Sequence, residues 1–212
     1  MSPRSSSVNE ELRERSRLRI LNAAYELLAE RGYAGTTLSE IAKRAGTARG
    51  LISYYFPSKQ HLFQATVHRM MYTRLTQTLD RIPVETDPDE RLALTIDRIL
   101  QFAAEQPAVF RAHLSLILQP DAAGFVDEPE RRRLGSILQE VLAIRGSTNP
   151  AVDHAVLRSA LMGAVIGIVL PGAESPLEHI RAHLFGSYGL RWTMGDPPTP
   201  KPPRLATASN PQ

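Results

Sequence analysis

Apolar side chains recur at three- and four-residue steps along most of the chain, beginning with Ile20, Ala24, Leu27 and Leu28, and no period-2 run of β-branched residues interrupts them. The fold class this implies is all-α. Glycine and proline divide it into helices. A first helix is expected over 9–31, closed by Gly32. Thr37-Leu38-Ser39-Glu40 is a capping box, so a second helix follows over 38–45 and breaks at Gly46. A short third helix over 48–55 ends before Pro57, because the residue preceding a proline disfavours the α conformation. Ser58 then caps a long amphipathic helix reaching about residue 82, with Leu62, Phe63, Val67, Met70, Met71, Leu75 and Leu79 at helical spacing. Later helices are expected at 88–105, 107–118, 126–145, 150–170 and 176–193. Residues 1–8 are Ser-rich and residues 195–212 hold six prolines in eighteen positions, so both ends are expected to be disordered.

A chain of 212 residues suits two unequal domains. Residues 9–57 read as a three-helix module and residues 58–194 as a larger helical domain. In the module, Ile20, Ala24, Leu27, Leu28, Leu38, Ile41, Ala45, Ile52 and Phe56 bury together. The third helix then turns Arg49, Gly50, Ser53 and Tyr54 to solvent, with Leu51 at the edge. An exposed helix start with a basic residue attracts phosphate, and a helix fits the major groove, where side chains can read base edges. Residues 1–60 carry ten Lys/Arg against six Asp/Glu, whereas the remainder carries fifteen against sixteen. That imbalance suits a first domain that meets phosphate, though scattered surface charge explains it equally well.

Thr36-Thr37-Leu38-Ser39-Glu40-Ile41-Ala42, then Ala45-Gly46, then Gly50-Leu51-Ile52-Ser53-Tyr54-Tyr55-Phe56-Pro57-Ser58-Lys59, resembles the pattern of the TetR family of bacterial transcriptional regulators. By motif the resemblance covers about residues 15–65, and beyond them only length and the succession of helices agree. It implies double-stranded DNA as partner, a homodimer on a palindromic operator, and release by an unknown small-molecule effector, with repression favoured. It also implies that Thr37, Tyr55 and Lys59 hold phosphates while Arg49, Gly50, Leu51, Ser53 and Tyr54 face the groove. Phosphate contacts position such a module and base contacts specify. Gly50 would let the backbone approach DNA closely, or it is merely a weak point in the helix. Three positions depart from the family pattern: Ser53 stands where Tyr is common, Ala48 where a capping Ser or Thr is common, with Thr47 as the alternative cap, and His61 where Ser58 usually has an acidic partner. Operator sequence therefore does not carry over from relatives.

In the second half, Ala160, Gly163, Ala164 and Gly167 leave one helix face small enough for close approach, and Leu177, Ile180, Leu184, Tyr188 and Arg191 form a seam on the last helix. These two helices are the expected dimer interface, unless they bury themselves within one subunit. Two recognition helices about 34 Å apart or a little more would double the reading of one. Met70, Met71, Leu75, Phe102, Phe110, His113, Leu114, Ile117, Phe125 and Met162 supply candidates for an effector pocket, although core packing accounts for most of them. His113 offers a polar contact there, with a satisfied core or surface histidine as the alternative.

No enzyme activity, cofactor or metal is expected. Cysteines are absent, and the His179/His183 pair lacks carboxylate or thiolate partners. The run Arg131-Arg132-Arg133 sits beside Asp127, Glu128 and Glu130 and reads as a solvated face, with no role assigned. The apolar stretch 160–170 is shorter than a bilayer span, and Met1 is followed by no apolar signal core, so a cytoplasmic protein with no membrane partner is expected.

Overall fold

The computed structural model of the protein describes residues 3–118, 129–172 and 175–190. Among these residues every regular element is a helix: α1 (Pro3–Arg31), α2 (Leu38–Ala45), α3 (Arg49–Tyr55), α4 (Lys59–Leu79), α5 (Pro88–Glu105), α6 (Pro107–Ile117), α7 (Pro129–Ile144), α8 (Pro150–Val169) and α9 (Leu177–Ser187). The all-α expectation holds, and most boundaries fall within a few residues of their signals. Two differ for definable reasons. Helix α1 begins at Pro3, not at Asn9, so residues 3–8 are helical and not a disordered arm. Proline at a helix start gives up only an amide that has no intrahelical partner. Helix α9 stops at Ser187, six residues short of the expected end, because Gly189 turns left-handed at φ 65 and the Leu190 amide donates to Phe185 O at 2.8 Å. Phe125, Arg191 and the Pro-rich stretch 195–212 lie outside the described residues.

Three apolar clusters hold the helices together. The first joins Ile20, Ala24, Leu27 and Leu28 of α1 to Ile41, Ala45, Ile52 and Phe56. It continues past residue 57, taking in Leu62, Phe63 and Val67 of α4 and Val109, Ala112 and Leu116 of α6. The second joins Leu75, Leu92, Ile96, Leu138, Leu157, Leu184 and their neighbours, and the third is centred on Phe102 and Phe110, whose rings meet edge to face at 5.1 Å. Helix α4 contributes to all three, through Met71 and its neighbours.

Charged pairs add fixed points between elements. Arg17 of α1 forms a bidentate pair with Glu130 of α7, whose side chain is fully buried, and Arg133 reaches Glu14 at 3.4 Å. Arg181 binds Asp97 at 2.5 Å, fastening α9 to α5. Helix α8, with a mean hydropathy of 1.5 over 18 residues, is the described helix long and apolar enough to cross a membrane by length and composition alone. Leu157, Leu161, Val165 and Val169 put one of its stripes into the core against α5, α6 and α7, and its other face is open.

Candidate nucleic-acid interface and interhelical cavity

The N-terminal module is built by local signals. Thr37 caps α2 by accepting from the Glu40 amide at 3.2 Å, and the Thr37 amide donates to Glu40 Oε2 at 2.9 Å. Gly46, at φ 63, then reverses the chain, with the Thr47 amide donating to Ala42 O at 3.0 Å. This turn sets α3 against α1 and α2 with Ile52 and Phe56 inward. Neither Ala48, the observed cap position of α3, nor Thr47 caps that helix with a side chain. Ser58 caps α4 by accepting from the His61 amide at 3.2 Å, and the His61 ring lies 3.0 Å from the same hydroxyl, in the place of an acidic partner.

Outward, Arg49, Gly50, Ser53 and Tyr54 are exposed and Leu51 and Tyr55 are half-buried, as the spacing implied. The Tyr54 and Tyr55 rings pack edge to face at 5.2 Å, leaving Tyr54 67% exposed. A methyl group at Gly50 would meet nothing within 4 Å, so no internal contact requires glycine there. The cations differ in what holds them. Arg31 is paired with Glu40 and Arg44 with Glu26 and Glu30, whereas Arg49 has no ion pair among the described residues. Lys59 donates to Tyr33 O at 2.6 Å and lies over the Tyr33 ring at 4.2 Å, and burial lowers its pKa. Thr37 is exposed but already engaged in its capping box.

A second site lies between α4, α5, α6, α7 and α8: a cavity of about 590 Å³. Of the expected pocket residues, Met71, Phe110, His113, Ile117 and Met162 line it. Met70, Leu75 and Phe102 do not; Leu75 and Phe102 are core side chains and Met70 packs on the third cluster. Sequence reasoning missed its polar wall, formed by His68 of α4, Arg131, Arg132 and Gln139 of α7, and His154 and Arg158 of α8. The arginine run read as a solvated face thus contributes two residues to the lining. The signal available was the spacing of His154, Arg158, Leu161 and Val165, which places two polar side chains on the stripe that buries α8. The His68 and His113 rings meet edge to face at 5.2 Å. Burial pushes His68 down to about 4, helped by the Arg131 and Arg158 charges, and His113 down to about 3.

Helices α8 and α9 frame a shallow groove lined by Ala160, Gly163, Ala164, Ile180, Leu184 and His183. Val152 and Val156 continue the open face of α8 at 55% and 59% exposure. Part of the expected dimer set is engaged inside its own subunit. Leu184 is buried in the second cluster, Leu177, Ile180 and Tyr188 pack on it, and a Cβ at Gly167 would lie 3.4 Å from Ile180 Cδ1, while a Cβ at Gly163 would meet nothing within 4 Å. His179 and His183 are exposed on α9, and no third metal ligand joins them among the described residues.

A three-helix core that presents α3 across a glycine turn from α2 defines a helix-turn-helix protein. Residues 20–66 match the family described as bacterial regulatory proteins, tetR family. An uncharacterized helix-turn-helix transcriptional regulator of Mycobacterium tuberculosis is 35% identical over 91 residues, 43% of this chain and 45% of that protein. The chain therefore spans less than half the length of such curated relatives. Among solved structures, a TetR regulator from Rhodococcus sp. RHA1 superposes with a TM-score of 0.60 at 24% identity, covering 81% of this chain and 96% of that one. The FadR regulator of Bacillus subtilis, solved with stearoyl-CoA, superposes at a TM-score of 0.52 with 20% identity over 80% of this chain and 95% of that one. At such identities the structural likeness speaks for the fold.

Proposed function

We propose that the protein is a transcriptional regulator, acting as a repressor in the cytoplasm, that binds a palindromic operator as a homodimer and is released by a small molecule. The observation that carries this reading is the outward face of α3. Arg49, Gly50, Ser53 and Tyr54 stand clear of the core on a helix whose opposite side, Ile52, is fully buried. Such a helix enters a major groove with its side chains at the base edges. Arg49, exposed and with no ion pair among the described residues, is free to meet phosphate or a base, and Lys59, Thr37 and Tyr55 are the further phosphate contacts in this reading.

The open face of α8 and α9 is the dimer surface in this reading. Val152, Val156 and Gly163 carry the contact, and Leu184 supports it from beneath. The cavity is the effector site. It is walled by α4, which also packs on the reading head, and by α7, which holds α1 through Glu130 and Arg133. An effector that favours a different α4–α7 spacing must lower operator affinity by linkage. The test is binding of purified protein to fragments of its own upstream intergenic DNA at two salt concentrations. A salt-sensitive, sequence-selective shift is expected. Absence of any DNA binding at low salt would refute the reading.

A further inference from the structure

Among the described residues the cavity lining contains Arg131, Arg132 and Arg158 and no aspartate or glutamate. The nearest acid in sequence, Glu130, is 0% exposed and accepts from Arg17 with both oxygens, so it is paired with α1 and is not part of the lining, although its charge partly offsets those of the arginines at His68. Neither Arg131 nor Arg158 has an ion pair among the described residues. Their field reaches inward: both lower the pKa of the buried His68 ring, and both lower that of His154. The rest of the lining includes the apolar side chains Met71, Phe110, Ile117, Leu161, Met162 and Val165. Deeper in, His113 presents a ring whose Nδ1 is buried with no hydrogen-bond partner among the described residues.

We propose that the cavity takes an anionic amphiphile: an oxyanion head held by Arg131 and Arg158, and an apolar body laid against α6 and α8, toward His113. This deepens the effector-site reading above and rests on it. Guanidinium pairs with carboxylate or phosphate in two parallel hydrogen bonds, which favours an oxyanion over a neutral hydroxyl of the same size. A cationic ligand of equal bulk meets like charge and no carboxylate, which sets it apart. The volume of about 590 Å³ admits a medium-chain or bicyclic acid whole.

The experiment uses the full-length protein and two sets of probes, each with a constant apolar body: decanoate, decanol and decylammonium, then naphthoate and naphthol. Calorimetric affinity is measured for each, with release of a bound DNA fragment followed in parallel. At least one carboxylate is expected to bind about tenfold or more tightly than its alcohol, and decylammonium not measurably. In the R131Q/R158Q variant that preference should fall to about one, with unliganded thermal stability and DNA affinity unchanged, since both side chains reach solvent. Equal binding of acid and alcohol, tighter binding of the ammonium, retention of the preference in the variant, or no carboxylate binding at millimolar concentration would each overturn the proposal. Carboxylate binding that leaves DNA bound would instead defeat the effector reading and leave the anion site standing. Release by a cation alone would do the reverse.

Discussion

Replacing Glu130 with Gln tests whether the reading head and the cavity wall are joined as the structure shows. The Glu130 side chain is 0% exposed and that of Arg17 15%, with Arg17 Nη2 donating to Oε2 at 2.6 Å and its guanidinium 5.1 Å from the Phe56 ring. Burial raises the Glu130 pKa, but the Arg17 hydrogen bonds and charge outweigh it and hold the carboxyl below its ordinary 4.5. Breaking a fully buried pair costs about 3–5 kcal/mol because one charge is left uncompensated. Here Arg17 keeps some solvent, the Phe56 face and one hydrogen bond to the amide, so the expected cost is about 2–3 kcal/mol. For a domain of this size that corresponds to a fall in Tm of about 4–12 °C. A cycle closed with R17M and R17M/E130Q should show coupling above about 1 kcal/mol. Because a depressed carboxyl pKa contributes stability above its unfolded value and loses it as pH falls, E130Q should also flatten the acid limb below pH 4.5. Urea denaturation of the four proteins decides it. Additive single effects, or a loss of less than about 0.5 kcal/mol in E130Q, would show that the pair does not couple the two halves.

Three further outcomes follow from the site. R49A should weaken binding to every DNA sequence and reduce the magnitude of the log–log salt slope by about one, with Tm unmoved, as read by fluorescence anisotropy; an unchanged slope would remove Arg49 from the phosphate contacts. T37A should cost about 1 kcal/mol through loss of the α2 cap, read by urea midpoint; a change within 0.3 kcal/mol would deny the cap its role. Histidine protonation should weaken the fold on mild acidification. Ordinary histidine takes up its proton near 6.5, whereas folded His68 and His113 wait until about 4 and about 3, so between these limits the unfolded chain binds more protons. Stability should therefore fall as pH drops from 7.5 to 5.5, by up to about 1.4 kcal/mol per pH unit for each ring. H113M should flatten that slope, and an unchanged slope would place the titration elsewhere.

The reading head was legible because its signals are local. Thr37 and Glu40 lie three residues apart, Gly46 follows the last helical residue, and Ser58 follows Pro57, so each boundary is decided within a turn of chain. The same logic failed at Pro3, where serine-rich composition concealed a helix that continues, and at Gly189, a C-terminal stop read through as seam. The cavity was half legible for a different reason. Met71 lines it while Leu75, on the same stripe of α4, is core, and no periodicity separates the two, since the difference lies in what α7 and α8 place opposite. Arg131 looked solvated beside Glu130. Only the pairing of Glu130 with Arg17 of α1, and the packing of α7 on α8, send the acid one way and the arginine the other.

Val109, Ala112 and Leu116 belong to α6, yet they share one core with Ile52 of α3. A fragment cut after residue 57 would carry Ile20, Leu28 and Ile52 without the part of their cluster that α4 and α6 supply. Transplanting this three-helix module onto another protein is thus a matter of grafting a surface as well as a segment: the recipient must offer an apolar stripe of matching shape where α4 and α6 now stand. Substitutions that drift in α6 are accordingly constrained by the same packing that holds α3, and the outer face of α3 can vary more freely than the seat on which it rests.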